Sequence, residues 1–253
     1  MEPVKNPFEI KPYGGGNCAI FTEIGCIGDS LSSGEIEVYK NGERNCIDIY
    51  EYSWGQFMAR MLGVKVYNFS RGGMSAKEFM SGWGEENGCF DKEKRCKAYI
   101  IALGFNDLTW IGQQIGNIED TGTDKDTFAR WYSEIIKKYK QIEPNAKFFF
   151  VTMPKVFDDS EKDKEMKKNH AALMYEMADK FNNAYVLDFY KYAPLYDEDF
   201  KKKYYLNGHM TAAGYRLTAE YMISAVHNVV SENLRDFDDV PFIGTGYHEL
   251  FEK

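Results

Sequence analysis

The 253-residue chain has no apolar run long enough to cross a bilayer, which takes about 20 consecutive apolar residues. Its first residues, Met1-Glu2-Pro3-Val4-Lys5-Asn6-Pro7, lack the basic stretch followed by an apolar one that marks a secretory leader. The chain as given therefore reads as cytoplasmic. Cysteine is sparse. Cys18, Cys26, Cys46, Cys89 and Cys96 make an odd set, with no Cys-x-x-Cys pair and no histidine at matching spacing. That pattern argues against a disulfide framework and against a metal site. Positive charge is in deficit as well. With 31 basic against 39 acidic residues the net charge is −8, a field that disfavours nucleic acid and anionic membrane surfaces as partners. There is no internal repeat, low-complexity tract or linker.

What is present is core material, 44% of the residues being hydrophobic, enough for one sizeable α/β domain. Short apolar runs at 20–27, 64–69, 98–103, 147–153 and 184–187 read as strands, the third apolar on both faces as in a central parallel strand. Between them, apolar residues recur at helical spacing over 52–62, 126–142, 163–181 and 211–230. A short helix begins after Ser75, with Glu78 three residues on as in a capping box. The polar stretch 33–48 reads as a long loop able to turn back at Asn41-Gly42. Alternating strands and helices with right-handed crossovers give a parallel sheet covered on both faces. In such sheets the reacting groups gather beyond the carboxyl ends of the strands. The segments 28–32, 70–73 and 104–107 fall at strand ends, and 204–209 lies before the last helix.

Ser30 sits on the turn after the first strand, in Gly28-Asp29-Ser30-Leu31-Ser32. A serine needs a base to become a useful nucleophile, and histidine is the usual one. Of four histidines, His170 and His227 fall inside helices and His248 in the tail. His209 follows a glycine in the loop that opens the last helix. A Gly-x-Ser-x-Gly nucleophile elbow is excluded, because Ser32 stands where the second glycine belongs.

The stretches Gly28-Asp29-Ser30-Leu31-Ser32, Asn68-Phe69-Ser70-Arg71-Gly72-Gly73, Gly104-Phe105-Asn106-Asp107 and His209-Met210-Thr211-Ala212-Ala213-Gly214-Tyr215 occur in this order. Together they resemble the four motif blocks of the SGNH (GDSL) hydrolases, a family of esterases and lipases, over residues 20–230. The resemblance implies a three-layer α/β/α sandwich with a central parallel sheet of about five strands, SGNH/flavodoxin-like. It implies a hydrolase domain at 20–235, between an N-terminal arm at 1–19 and a tail at 236–253. It implies Ser30 as nucleophile, His209 as base, and an oxyanion hole from the Ser30 N–H, the Gly73 N–H (Gly72 the alternative) and the Asn106 amide. Asp29 and Asp107 pin their turns.

The expected activity is hydrolysis of a short-chain acyl ester, such as an O-acetyl group on a carbohydrate, through an acyl-enzyme and without metal or organic cofactor. The partner is then a small-molecule or carbohydrate ester, with neither nucleic acid nor membrane. Trp110 and Tyr205, with Tyr204 and Trp83 beside them in the reading, would rim the site with flat aromatic faces. One position departs from the family, which carries an aspartate three residues before the histidine. Here that residue is Leu206. A backbone carbonyl at Leu206, or a carboxylate from elsewhere with Asp188 ahead of Asp197 and Asp199, would then orient the imidazole. This departure keeps open a binding protein for a carbohydrate or other partner on the same scaffold. An O-acyltransferase, which would share the acyl-enzyme and differ only in whether an acceptor or water takes the acyl group, is the other alternative.

Overall fold

The computed structural model describes residues 6–251. Strand β1 (Glu23–Gly28) leads through a single helical turn, α1 (Ser30–Ser33), into β2 (Glu35–Lys40) and β3 (Glu43–Asp48). Next come α2 (Trp54–Leu62), β4 (Lys65–Ser70), the short α3 (Ala76–Glu78) and α4 (Gly84–Glu86), and β5 (Ala98–Ala102). The chain continues with α5 (Phe128–Ile142), β6 (Lys147–Val151), α6 (Glu161–Lys180), β7 (Ala184–Leu187), α7 (Phe189–Tyr192) and α8 (Glu198–Tyr204). A tight pair of bridges, β8 (Tyr205–Leu206) and β9 (His209–Met210), opens into the long α9 (Ala212–Glu232).

The main sheet is parallel, in the order β4-β1-β5-β6-β7. This is the five-stranded sandwich that the alternation implies. Its order places the site. Strand β1 lies between β4 and β5, with Gly28 level with Ser70 on one side and Ala102 on the other. The three strand-end segments of interest therefore leave the sheet side by side. Alternate residues of the central strands feed two cores. Ile100 and Phe149 pack with Trp54, Met58 and Met222 on the α2/α9 face. Tyr99, Ile101, Phe148 and Phe150 pack with Tyr132, Ile136 and Met174 on the α5/α6 face. No helix among the described residues is long and apolar enough to cross a membrane.

Four segments differ from the sequence reading. The first strand begins at Glu23, because the chain before it, Tyr13–Ile20, is a 3-10 segment broken by three glycines at positive φ. The N-terminal arm packs on the body of the protein. Phe8 is buried with its ring edge-on to Phe189 and Tyr221, and the Asn17 N–H donates to His227 Nδ1 at 3.0 Å. The tail contributes buried Phe237, Val240 and Ile243 to the α2/α9 core. The segment 33–48 is a full antiparallel hairpin: Asn41 (φ 54) and Gly42 (φ 81) form a turn of the type whose twist matches paired strands.

Candidate active site

Asp29 caps α1, its Oδ1 accepting the Leu31 N–H at 3.1 Å. That sets Ser30 as the first helical residue, on a cavity of about 720 Å3. Asp29 is buried, and burial is the main cause pushing its carboxyl up to about 7. The next loop follows β4. Here the Gly72 N–H donates to Asp48 Oδ2 at 3.2 Å, while Gly73 lines the cavity. Of the two glycines, Gly73 is the one that lines the cavity, while the Gly72 N–H is taken by Asp48.

The loop after β5 is fixed from below and from the side. His170, fully buried on α6, sets Nε2 3.2 Å from the Leu103 carbonyl. Burial lowers its pKa to about 4, so a neutral imidazole donates there. Asp107 accepts the Ala76 N–H at 2.8 Å, tying this loop to α3, and burial raises its carboxyl to about 6. Asn106 is buried on the cavity wall, with Nδ2 donating to the Met74 carbonyl at 3.1 Å. An amide nitrogen carries two hydrogens, so this bond holds the side chain while leaving the second donor.

His209 is reached from the other direction. Asn207 (φ 58) turns β8 into β9, and His209 pairs with Leu206 across it. Both ring nitrogens meet carboxylates, and both carboxylates come from β2. Glu37 Oε2 lies 3.1 Å from Nδ1 and Glu35 Oε1 lies 3.0 Å from Nε2. Glu37 is buried and heavily bonded. It accepts the Gly208 N–H at 3.2 Å, Arg44 Nη2 at 3.0 Å and the Tyr39 hydroxyl at 3.2 Å. The Arg44 guanidinium, with His209 behind it, holds the Glu37 carboxyl down to about 2. Asn207 Nδ2 donates to the Glu37 backbone carbonyl at 2.9 Å, so the two hairpins are stitched together. Gly208 permits this approach, since a Cβ there would lie 2.6 Å from Glu37 Oε2.

The period-two alternation of a strand explains the set. Glu35 and Glu37 share one face of β2. Opposite them in register stand Asp48 and Cys46. Asp48 bonds the Ser33 hydroxyl and the Gly72 N–H, joining the first and second blocks. None of Glu35, Glu37, Arg44, Cys46 and Asp48 was singled out by sequence reasoning. The available signal was the alternation Glu35-Ile36-Glu37-Val38 running into Asn41-Gly42.

Asp188 does not approach His209, which corrects the expectation that it might orient the imidazole. Its carboxylate accepts Thr152 Oγ1 at 2.9 Å, the Tyr175 hydroxyl at 2.8 Å and the Lys191 N–H at 3.0 Å, and it caps α7. Asp197 likewise caps α8. Nor does the Leu206 carbonyl serve, since carboxylates take both ring nitrogens. Trp110 and Tyr205 both line the cavity, Trp110 at 80% exposure and Tyr205 largely covered. Trp83 is outside the lining and packs on Phe79, and Tyr204 packs on Phe200.

The sequence profile described as the GDSL-like Lipase/Acylhydrolase family matches residues 26–217. No curated protein sequence matches the chain. Several solved structures share the fold. The acetyl xylan esterase AlAXEase superposes with a TM-score of 0.53 at 20% identity, covering 81% of this chain and 99% of its own. A family two carbohydrate esterase from Clostridium thermocellum, solved with cellohexaose, gives 0.60 at 16% identity, covering 83% of this chain and 64% of its own. The family 2 carbohydrate esterase with a carbohydrate binding domain from Corynascus thermopiles (Myceliophthora fergusii) gives 0.57 at 14%, covering 83% and 66%. The matched span runs from within β1 into α9 and takes in all four loop segments around the cavity, and on that match the chain belongs to the GDSL-like lipase/acylhydrolase family.

Proposed function

We propose that the chain is a serine esterase that removes a short acyl group, such as acetyl, from a carbohydrate or similar small alcohol. The observation that carries this reading is the placement of Glu37 on His209 Nδ1, on the cavity that Ser30, Gly73 and Asn106 also line. The carboxylate missing three residues before the histidine is replaced by one from β2. Glu37 accepts the Nδ1–H, which fixes the ring and leaves the Nε2 lone pair for the serine proton.

Ser30 Oγ attacks the ester carbon as its proton passes to His209 Nε2. The oxyanion is met by the Ser30 and Gly73 N–H groups and the Asn106 amide. Collapse expels the alcohol, which takes the proton back from the imidazolium, and leaves the acyl group on Ser30. Water, deprotonated at Nε2, then releases the acid and restores the serine. In the structure Nε2 faces Glu35, so the reading requires that contact to give way when the ester seats. Exposed Trp110, with Phe105 and Ile111 beside it on the rim, offers the flat apolar surface that a sugar ring stacks on. The carbohydrate esterases of like fold agree with a sugar ester as substrate.

The engagement of Nε2 by Glu35 also favours a second reading, a carbohydrate-binding protein with little turnover. Hydrolysis of p-nitrophenyl acetate and longer esters separates the two. The esterase reading expects turnover by the wild type and loss of most of it in Ser30→Ala and His209→Ala. Wild-type rates equal to Ser30→Ala on every ester would leave the binding reading standing.

A further inference from the structure

We propose that Glu35, Cys46 and His209 form a Zn2+ site that switches the hydrolase off by capturing its imidazole. The binding stands on geometry alone; the inhibition rests on His209 being the base of the proposed reaction.

A carboxylate oxygen of Glu35, the Cys46 sulfur and a ring nitrogen of His209 all lie within 4.8 Å of one another. Zinc binds such atoms at about 2.0–2.3 Å in a tetrahedron, which sets ligand atoms roughly 3–4 Å apart. Small side-chain shifts close the set. All three residues line the cavity, and three protein ligands with one open position is the arrangement zinc takes where water or another small ligand completes the shell. The three come from β2, β3 and β9, far apart in sequence, which is why cysteine and histidine spacing did not reveal them.

Two further features point to a cation. A neutral imidazole has one N–H, yet both His209 nitrogens stand at about 3 Å from carboxylates. With Glu37 on Nδ1, it is Nε2 that faces the Glu35 oxygen and stands on the side of the proposed ion. Glu37 meanwhile plays the part of the carboxylate that commonly backs a metal-bound histidine, fixing its tautomer and orientation. Glu35 is itself placed by Gly72, where any Cβ would collide with its Oε2. Thiolate and imidazole ligands select Zn2+ over Mg2+ and Ca2+. Once bound, the ion holds the Nε2 lone pair that must otherwise take the Ser30 proton.

The test titrates Zn2+ into reduced, metal-free, full-length protein against a chromophoric chelator, beside Cys46→Ser and Glu35→Gln. The expected result is uptake of one ion, at least about tenfold weaker in either variant. Co2+ in place of Zn2+ should give a thiolate charge-transfer band that Cys46→Ser lacks. No stoichiometric uptake, or uptake and a band indifferent to both substitutions, overturns the site. On the activity side, saturating Zn2+ should suppress p-nitrophenyl acetate hydrolysis and a chelator should restore it. Activity that rises with Zn2+, or that a chelator removes, overturns the inhibitory role. If no ester is hydrolysed at all, the esterase reading fails, and uptake and the Co2+ band still decide the binding.

Discussion

The strand-end loops and the β2–β3 hairpin furnish the same cavity by different physics. The loops after β1, β4 and β5 are extensions of a buried parallel sheet. Their turns are pinned by buried groups: Asp29 on the Leu31 N–H, Asp107 on the Ala76 N–H, His170 on the Leu103 carbonyl. They present a serine and neutral donors. The hairpin pairs with no strand of the main sheet, and Val38, Tyr39 and Ile47 on it are exposed. A two-stranded ribbon alone is marginal in water. Its polar face joins it to the body through Glu37 with Gly208 and His209 and Asp48 with Ser33 and Gly72, beside the packing of Ile36 on Tyr196, Met210 and Tyr215 and the Tyr215 hydroxyl on the Glu35 carbonyl. The difference teaches a division of labour. On the proposed reading, the sheet fixes the groups that would meet the ester, and the hairpin supplies the charge around the histidine that would act as base.

If that division holds, substitutions in the loops should act on the chemical step. Ser30→Ala should lower kcat by on the order of 10⁴ or more, leaving only what the remaining groups do together. Asn106→Ala should lower kcat by about 10²–10³ with KM little changed, as for loss of one oxyanion donor. A KM effect alone would mean that the amide serves binding.

The pinning groups predict a pH dependence. Burial raises Asp29 to about 7 and Asp107 to about 6, so the fold prefers their neutral forms. Their contribution is complete below the ordinary carboxylate pKa of about 4 and is lost as pH rises through 6 to 7. Glu37, held down to about 2, acts oppositely: its contribution is present above its ordinary pKa and is lost as pH falls toward 2. The unfolding free energy from urea titration should therefore be highest near pH 4–5 and fall by pH 8, by on the order of 4 kcal/mol. Asp29→Asn, which keeps a capping side chain, should flatten the alkaline fall. A midpoint that rises from pH 5 to pH 8 contradicts the assignment. The smallest effect is expected at the rim, where Trp110→Ala should raise KM for a sugar ester roughly two- to tenfold and leave p-nitrophenyl acetate unaffected.

The same comparison explains what was legible in the sequence. The sheet and its helices follow from apolar runs, because each of those elements is local, and the loop segments holding Ser30, Gly73, Asn106 and His209 are found by their resemblance to the motif blocks of the family. The hairpin was legible only in its turn. Its strands are short and polar on the site face, so they lack the apolar signal by which strands are found. Glu37 precedes its histidine by 172 residues and meets it only through tertiary contact. Asp188 sat at the expected edge of the sheet, but Thr152, Tyr175 and the α7 cap hold its carboxylate. The arm before β1 carried too few apolar residues to announce that Phe8 and Cys18 are buried.

The central claim is that Glu37 does the work of the missing aspartate. Its most direct test is kcat/KM for a simple ester in Glu37→Gln, Asp188→Asn and the double variant Glu37→Gln/Leu206→Asp. The account predicts a loss of about 10²–10⁴ in Glu37→Gln, in line with loss of an orienting carboxylate. It predicts little change in Asp188→Asn and partial recovery when a carboxylate is returned three residues before His209. Near-wild-type activity in Glu37→Gln, with the loss appearing in Asp188→Asn instead, would contradict it.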